Sequence, residues 1–275
     1  MGNVIQTNVA SLNSQRNLFR TNITLNETFQ RLSSGFRINS AKDDAAGLQI
    51  SNQLTSQIKG LTIGIRNAND GLSVAQVGEG AQQEITFLLQ RMRELALTAA
   101  TGTTADGGPE KLALDSEFQE LILEIDRIAT TTSFGGTKLL DGSFGTKQIQ
   151  VGANDAETIG ITLINATTLQ VISSAIDITT AANASGVLAT IDSDITNIDS
   201  NRAQLGAVQN RLTSTIANSQ NIIENASASR SRLRDTDYAI ETSNLAKNQV
   251  LQQAGLSVLS QANAQAQSVL SLLQT

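Results

Sequence analysis

After Ile58, the residues Leu61, Ile65, Ala68, Leu72, Ala75, Gly78, Gln82, Ile85, Leu88, Met92, Leu95 and Ala99 follow one another in steps of three and four. This is a heptad seam, and the single proline of the chain, Pro109, lies beyond it. A helix carrying that seam from Ala45 to Ala100 would be on the order of 80 Å long, far more than the diameter of a compact domain. A stripe so narrow and so long is buried only by other helices laid beside it, so the spacing predicts a bundle drawn out into a rod.

Two further stripes supply the partners. Leu114, Phe118, Leu121, Ile125 and Ile128 follow Gly107-Gly108-Pro109, where proline in the first turn with Glu110 beside it marks a helix start and an antiparallel return. The third stripe runs through Leu188, Ile191, Ile195, Ile198, Leu205, Leu212, Ile216, Ile223 and Ala226, with Arg202, Gln209 and Ser219 as polar members able to set its register. Aromatic residues are only 3% of 275, so packing falls to Ala, Leu, Ile and Val, a palette suited to helices meeting side by side.

Between the second and third stripes the period changes. Gln148–Val151 and Thr158–Leu163 read as two strands of a hairpin joined through Gly152-Ala153-Asn154-Asp155, and Asp141-Gly142 marks a turn before them. The Thr-, Ala- and Ser-rich stretch from Thr167 to Ser185 reads as surface-lying. The expected fold is therefore mainly α: a long antiparallel heptad-packed helical rod with a terminal two-helix coiled coil and a small β-hairpin region. Residues 1–42 and 237–275 are expected to form the two halves of the coiled coil, 43–140 and 186–236 the two parts of the rod, and 141–185 the hairpin and loop.

Both ends carry apolar stripes of their own. Ile5, Val9, Leu12, Phe19 and Ile23 give way to Leu18, Leu25, Phe29 and Leu32, a break like a stutter. Leu251, Gly255, Val258, Ala262, Ala266, Val269 and Leu273 form a face in a segment with no charged residue after Lys247. Such helices, rich in Gln, Ser, Ala and Leu, are too polar for lipid and too apolar for water. They are expected to pair with each other and to leave an outer surface for further copies, ordering as the copies assemble into an open helical polymer.

Composition removes many chemistries. With no His and no Cys, the chain has no Ser-His-Asp or Cys-His nucleophile, no zinc site of the usual ligands, no haem or iron–sulfur ligation and no disulfide. A formal charge of -6 argues against nucleic acid. The first twenty residues show no secretory leader, and no run is long and apolar enough to span a membrane. Asp43 and Asp44 in SAKDDAAG lack a neighbouring base, so Ser40 with Asp43 reads as a capping box rather than a cation or acid/base site. Gly60-x-x-x-Gly64 reads as a place of close helix approach.

The stretch RLSSGFRINSAKDDAAG (Arg31 to Gly47) resembles the N-terminal signature of the bacterial flagellins. The resemblance extends through IKGLTIGIRNANDGLSVAQ (Ile58 to Gln76), QRMRELAL (Gln90 to Leu97), EIDRIATTTSFGGTKLLDG (Glu124 to Gly142) and SNLAKNQVLQQAGLSVLSQANAQAQSVLSLL (Ser243 to Leu273). It implies a secreted, extracellular structural subunit, exported unfolded by the flagellar type III route and polymerised at the filament tip, with no enzymatic activity and no cofactor. The partners it implies are many identical copies, the flagellar cap, junction proteins, an export chaperone and a host Toll-like receptor. A hook-filament junction protein is the alternative reading. Many family members carry extra outer domains between Gly142 and Leu188; the short interval here implies a minimal member with a smooth, thin filament. By resemblance, Gln90, Arg91, Glu94, Leu95 and Glu117 are the receptor-binding or axial subunit-contact residues, with Arg91 and Leu95 on one helix face. Ile5, Val9, Leu12, Leu251, Val258, Leu259, Val269, Leu270 and Leu273 are the inner-tube packing residues.

Overall fold

The computed structural model describes residues 7–173 and 176–273, with side chains described through residue 172 and from 176 to 265. Its helices are α1 (Val9–Ser34), α2 (Ala45–Ala99), α3 (Pro109–Thr131), α4 (Gln170–Ser173), α5 (Ala181–Arg234) and α6 (Tyr238–Leu273). Its strands are β1 (Ser133–Phe134), β2 (Thr137–Lys138), β3 (Thr146–Gln150) and β4 (Thr158–Thr162), paired as two antiparallel hairpins. The chain divides into two compact units, one running to Ser56 and resuming at Asn225, the other Gln57–Glu224.

Within the Gln57–Glu224 unit, the buried residues of α2 are Leu61, Gly64, Ala68, Gly71, Ala75, Gly78, Gln82, Ile85, Thr86, Leu89, Met92, Leu95, Ala96 and Ala99. The heptad expected from the sequence is present, but alternate positions fall one residue away, with Gly64 in place of Ile65, Gly71 in place of Leu72 and Leu89 in place of Leu88. The glycines are buried because the β3–β4 hairpin lies on them. A methyl group at Gly78 would come within 2.7 Å of the Leu163 side chain, and one at Gly64 would collide with the Val151 carbonyl. The close approach expected at Gly60 and Gly64 is thus real, but its partner is the hairpin and not a second helix.

The same offset occurs on α5, whose buried residues include Val187, Ile191, Asp194, Ile198, Asn201, Leu205 and Leu212. Asp194 and Asn201 replace the expected Ile195 and Arg202 because backbone groups need them. Asp194 accepts from the Gln170 and Val171 amides at 3.1 and 2.9 Å, capping the start of α4. Arg202 is left at the edge beside Asp199, at 3.4 Å.

The stretch expected to be surface-lying is not. Leu169, Val171, Ile178 and Ala184 are buried, and α3 holds the segment by side chains: Gln119 Nε2 donates to the Ile176 carbonyl at 2.7 Å and Asp115 accepts from the Ile178 amide at 2.9 Å. Lys111, whose side chain is fully buried, pairs with Asp106 at 2.6 Å in the same region. The β1–β2 hairpin turns on Gly135-Gly136, both at positive φ (56° and 85°), as a two-residue hairpin turn requires.

In the other unit, α2 starts one turn later than a Ser40 cap would place it. The Asp43 carboxylate accepts from Asn39 N, Ser40 N and Ser40 Oγ at 2.8–3.1 Å, while Asp44 Oδ1 accepts from Gly47 N at 2.9 Å and caps the helix. Asp43 therefore serves the preceding turn, and these bonds to Ser40 and Asn39 hold its carboxyl below the ordinary value of 3.8. Phe36 and Asp235 form an isolated bridge, with the Arg234 guanidinium 4.2 Å above the Phe36 ring.

Candidate assembly interface

α1 and α6 pair antiparallel, as expected. Asn8 Nδ2 donates to the Ala262 carbonyl at 2.9 Å, Ser11 Oγ to Asn263 Oδ1 at 2.9 Å, and Gln252 Nε2 to Asn22 Oδ1 at 2.8 Å. At the other end Arg31 meets Glu241 at 3.7 Å. The buried members of this pair are Ser11, Leu25, Thr28, Glu241, Asn248 and Ala262, and an added methyl at Gly255 would touch Leu18 at 3.1 Å. The seam is small and polar.

Leu25 apart, many of the large apolar side chains face away from it. Val9 is 59% exposed, Leu12 50%, Phe19 66%, Leu251 46% and Val258 57%. Leu259 is half-buried. Ile5 lies outside the described residues, and Val269, Leu270 and Leu273 lie on α6 beyond the described side chains. Of the residues expected to form the packing stripe, Val9, Leu12, Leu251 and Val258 therefore lie on the outward face in a single chain. Each terminal helix carries two stripes, and periodicity does not say which of them the other end takes.

The second candidate surface is on α2 and α3. Arg91 donates from Nε to Glu117 Oε1 at 2.9 Å and from Nη1 to Glu94 Oε2 at 3.1 Å. Glu117, then Glu94, raise the Arg91 pKa above its ordinary value. Gln90, Arg91, Glu94 and Glu117 are exposed, whereas Leu95 is 3% exposed and belongs to the core beneath them. The expected i, i+4 relation of Arg91 and Leu95 does not put both on the surface. The acids that Arg91 satisfies lie in its own chain. Among the described residues no group of three acidic side chains converges as a cation site would need, and no helix is long and apolar enough to cross a membrane.

Long helices paired end to end of the chain, with a polar seam inside and apolar side chains outside, define a subunit made to be completed by others of its kind. The profile of the "Bacterial flagellin N-terminal helical region" matches residues 5–145, and that of the "Bacterial flagellin C-terminal helical region" matches residues 188–273. The chain belongs to the bacterial flagellin family, and is a subunit of the extracellular filament of the bacterial flagellum. It is 37% identical to Flagellin A of Vibrio cholerae over a 377-residue alignment covering 98% of this chain and 99% of that protein. It is 36% identical to Polar flagellin C of Vibrio parahaemolyticus, with both chains covered in full. The crystal structure of Bacillus cereus flagellin superposes with a TM-score of 0.51 at 31% identity, over 56% of this chain and 88% of that one.

Proposed function

We propose that polymerisation is driven by burial of the outward faces of α1 and α6 against identical copies. The observation that carries this reading is the arrangement at the terminal pair: Ser11, Thr28, Glu241 and Asn248 inside with Leu25 and Ala262, and Val9, Leu12, Phe19, Leu251 and Val258 outside. An apolar side chain of that size contributes roughly 1.5–3 kcal/mol when fully buried, so these five supply on the order of 10 kcal/mol per copy to association. Ile5, Leu259, Val269, Leu270 and Leu273 extend the same packing. The chain acts as material and catalyses nothing.

The finer roles follow from the same chemistry. A chain with no cysteine and one proline threads through a narrow channel unfolded, which suits export, and the uncharged end from Asn248 onward suits a chaperone that shields it until the cap receives it. The Arg91–Glu94–Glu117 patch, with Gln90 beside it and Leu95 supporting it from below, serves first as an axial contact between copies. It serves second as a surface for a host Toll-like receptor. Removing residues 248–275 tests the central reading. The Gln57–Glu224 unit has its own core, so we expect a helical chain that stays unassembled in sedimentation, and fibres of ordinary length from the truncated chain would refute the mechanism.

A further inference from the structure

The β3–β4 hairpin is held against the helices by apolar side chains that fit a repeating track. Gly64, Gly71 and Gly78 recur every seventh residue of α2, a rise of about 10 Å between equivalent sockets. Val151 lies over Gly64, Ile149 and Ile161 over Gly71, and Leu163 over Gly78. Sockets that resemble one another specify position poorly, just as a uniform apolar seam leaves helix register loose until a polar residue is added.

Two carboxamides break that degeneracy. Leu163 N bonds to the Gly145 carbonyl, so odd-numbered residues of β4 face β3, and the groups of Thr162 and Ile164 point to the free edge. Asn201 sits on that edge. Its Nδ2 donates to the Thr162 carbonyl at 3.2 Å and its Oδ1 accepts from the Ile164 amide at 3.4 Å, as a neighbouring strand would. These two backbone partners fix which way the amide points, and Gln82 Nε2 braces it with a donation to Oδ1 at 2.7 Å. On the opposite edge, Asn67 Nδ2 donates to the outward-facing carbonyl of Gln150 at 3.0 Å. One side chain from each long helix thus stands in for a third and a fourth strand.

We propose that Asn201, braced by Gln82, and Asn67 are positioning residues that select where along the glycine track the hairpin docks. The apolar contacts supply the attraction, and the carboxamides supply the address. They also occupy both edges of a two-stranded sheet that would otherwise offer open hydrogen-bonding groups to a neighbour.

The test is amide exchange on the full-length chain carrying Asn201→Leu, a substitution with the same branching that puts two methyl groups in place of the polar atoms. We expect the Ile159 and Ile161 amides to exchange roughly tenfold faster or more, while Ile85 and Ile191 in the flanking helices stay close to wild type. Asn201→Asp keeps the acceptor for Ile164 and Gln82, and should restore part of the protection. Wild-type protection of the hairpin in Asn201→Leu overturns the proposal, because packing would then suffice. Equal loss across hairpin and helices also overturns it, because Asn201 would then serve the whole unit. If Asn201→Leu does not fold, Asn67→Leu on the half-buried edge decides by the same two outcomes, read at the Ile149 and Ile159 amides.

Discussion

Several side chains of this protein spend their charge on the backbone. Asp43, Asp141 and Asp177 each accept from turn amides or hydroxyls, chiefly of Ser40, of Ser143, and of Asn183 and Thr179, and each carboxyl is thereby held below its ordinary value of 3.8. The donation of Lys111, and then that of the Ala181 amide, lowers Asp106 likewise. A carboxyl whose folded pKa is depressed contributes stability that is full above its unfolded pKa and is lost as pH falls through the folded one. Thermal melts should thus be flat from about pH 7 to 5 and fall below about pH 4, and Asp43→Asn should blunt part of that fall. A melt insensitive to acid would show that these turns do not limit stability. At this scale the sequence was legible in kind rather than in place. A cap was readable from Ser40 with Asp43, but the cap is Asp44, because Asp43 is taken up by three donors in the turn behind it. Buried Lys111 had no signal at all, since its partner sits in a loop five residues upstream and its burial depends on the returning 176–181 segment.

At the level of elements, heptad spacing was enough to find α2, α3 and α5, and alternation was enough to find β3 and β4. The side of each helix that is buried was harder to read. Glycine adds no apolar side chain to a periodic pattern, so Ile65 and Leu72 stand out in the sequence where Gly64 and Gly71 are buried, although a Cβ would strike the Val151 carbonyl at Gly64 and crowd Ile161 and Ile149 at Gly71. Asp194 and Asn201 were passed over for the same reason, because polar residues look like surface until the backbone they satisfy is known. The 3-10 turn at Ala166–Thr168 and α4 are too short to show a period; the Leu140 carbonyl and Asn165 hold the first, and Asp194 of α5 holds the second. A paired substitution separates the roles of two glycines in one helix. Gly64→Val drives a branched side chain into the Val151 carbonyl and should cost about 1–3 kcal/mol in denaturant unfolding. Gly80→Ala, with nothing within 4 Å of the new methyl, should stabilise by about 0.5–1 kcal/mol. The same sign for both would mean that the hairpin does not rest on α2 in solution.

For the molecule as a whole, the alignment with the Vibrio cholerae flagellin spans 377 positions yet takes up 98% of only 275 residues, so roughly a hundred positions of that relative have no counterpart here. The family profiles leave 146–187 between them, and the described residues there include β3, β4, α4 and the start of α5. Little is left to project outward. Electron microscopy of the assembled filament should show a thin, smooth fibre, narrower than that of the Vibrio relative prepared alongside; a knobbed surface of equal width would contradict this. That the ends would pair was readable from their stripes. That they pair through their polar side was not, because the reward for the opposite arrangement is delivered by other copies.

The hydrogen bond from Asn8 to Ala262 joins residues 254 positions apart, so α1 has no mate while nearly all of the chain is still being made. A ribosome delivers α1 first and α6 last, and every second of synthesis between them is time in which the opening helix stands uncommitted. The order of translation itself postpones the closing of the molecule, and leaves a nascent subunit available to whatever machinery must reach it before it is whole.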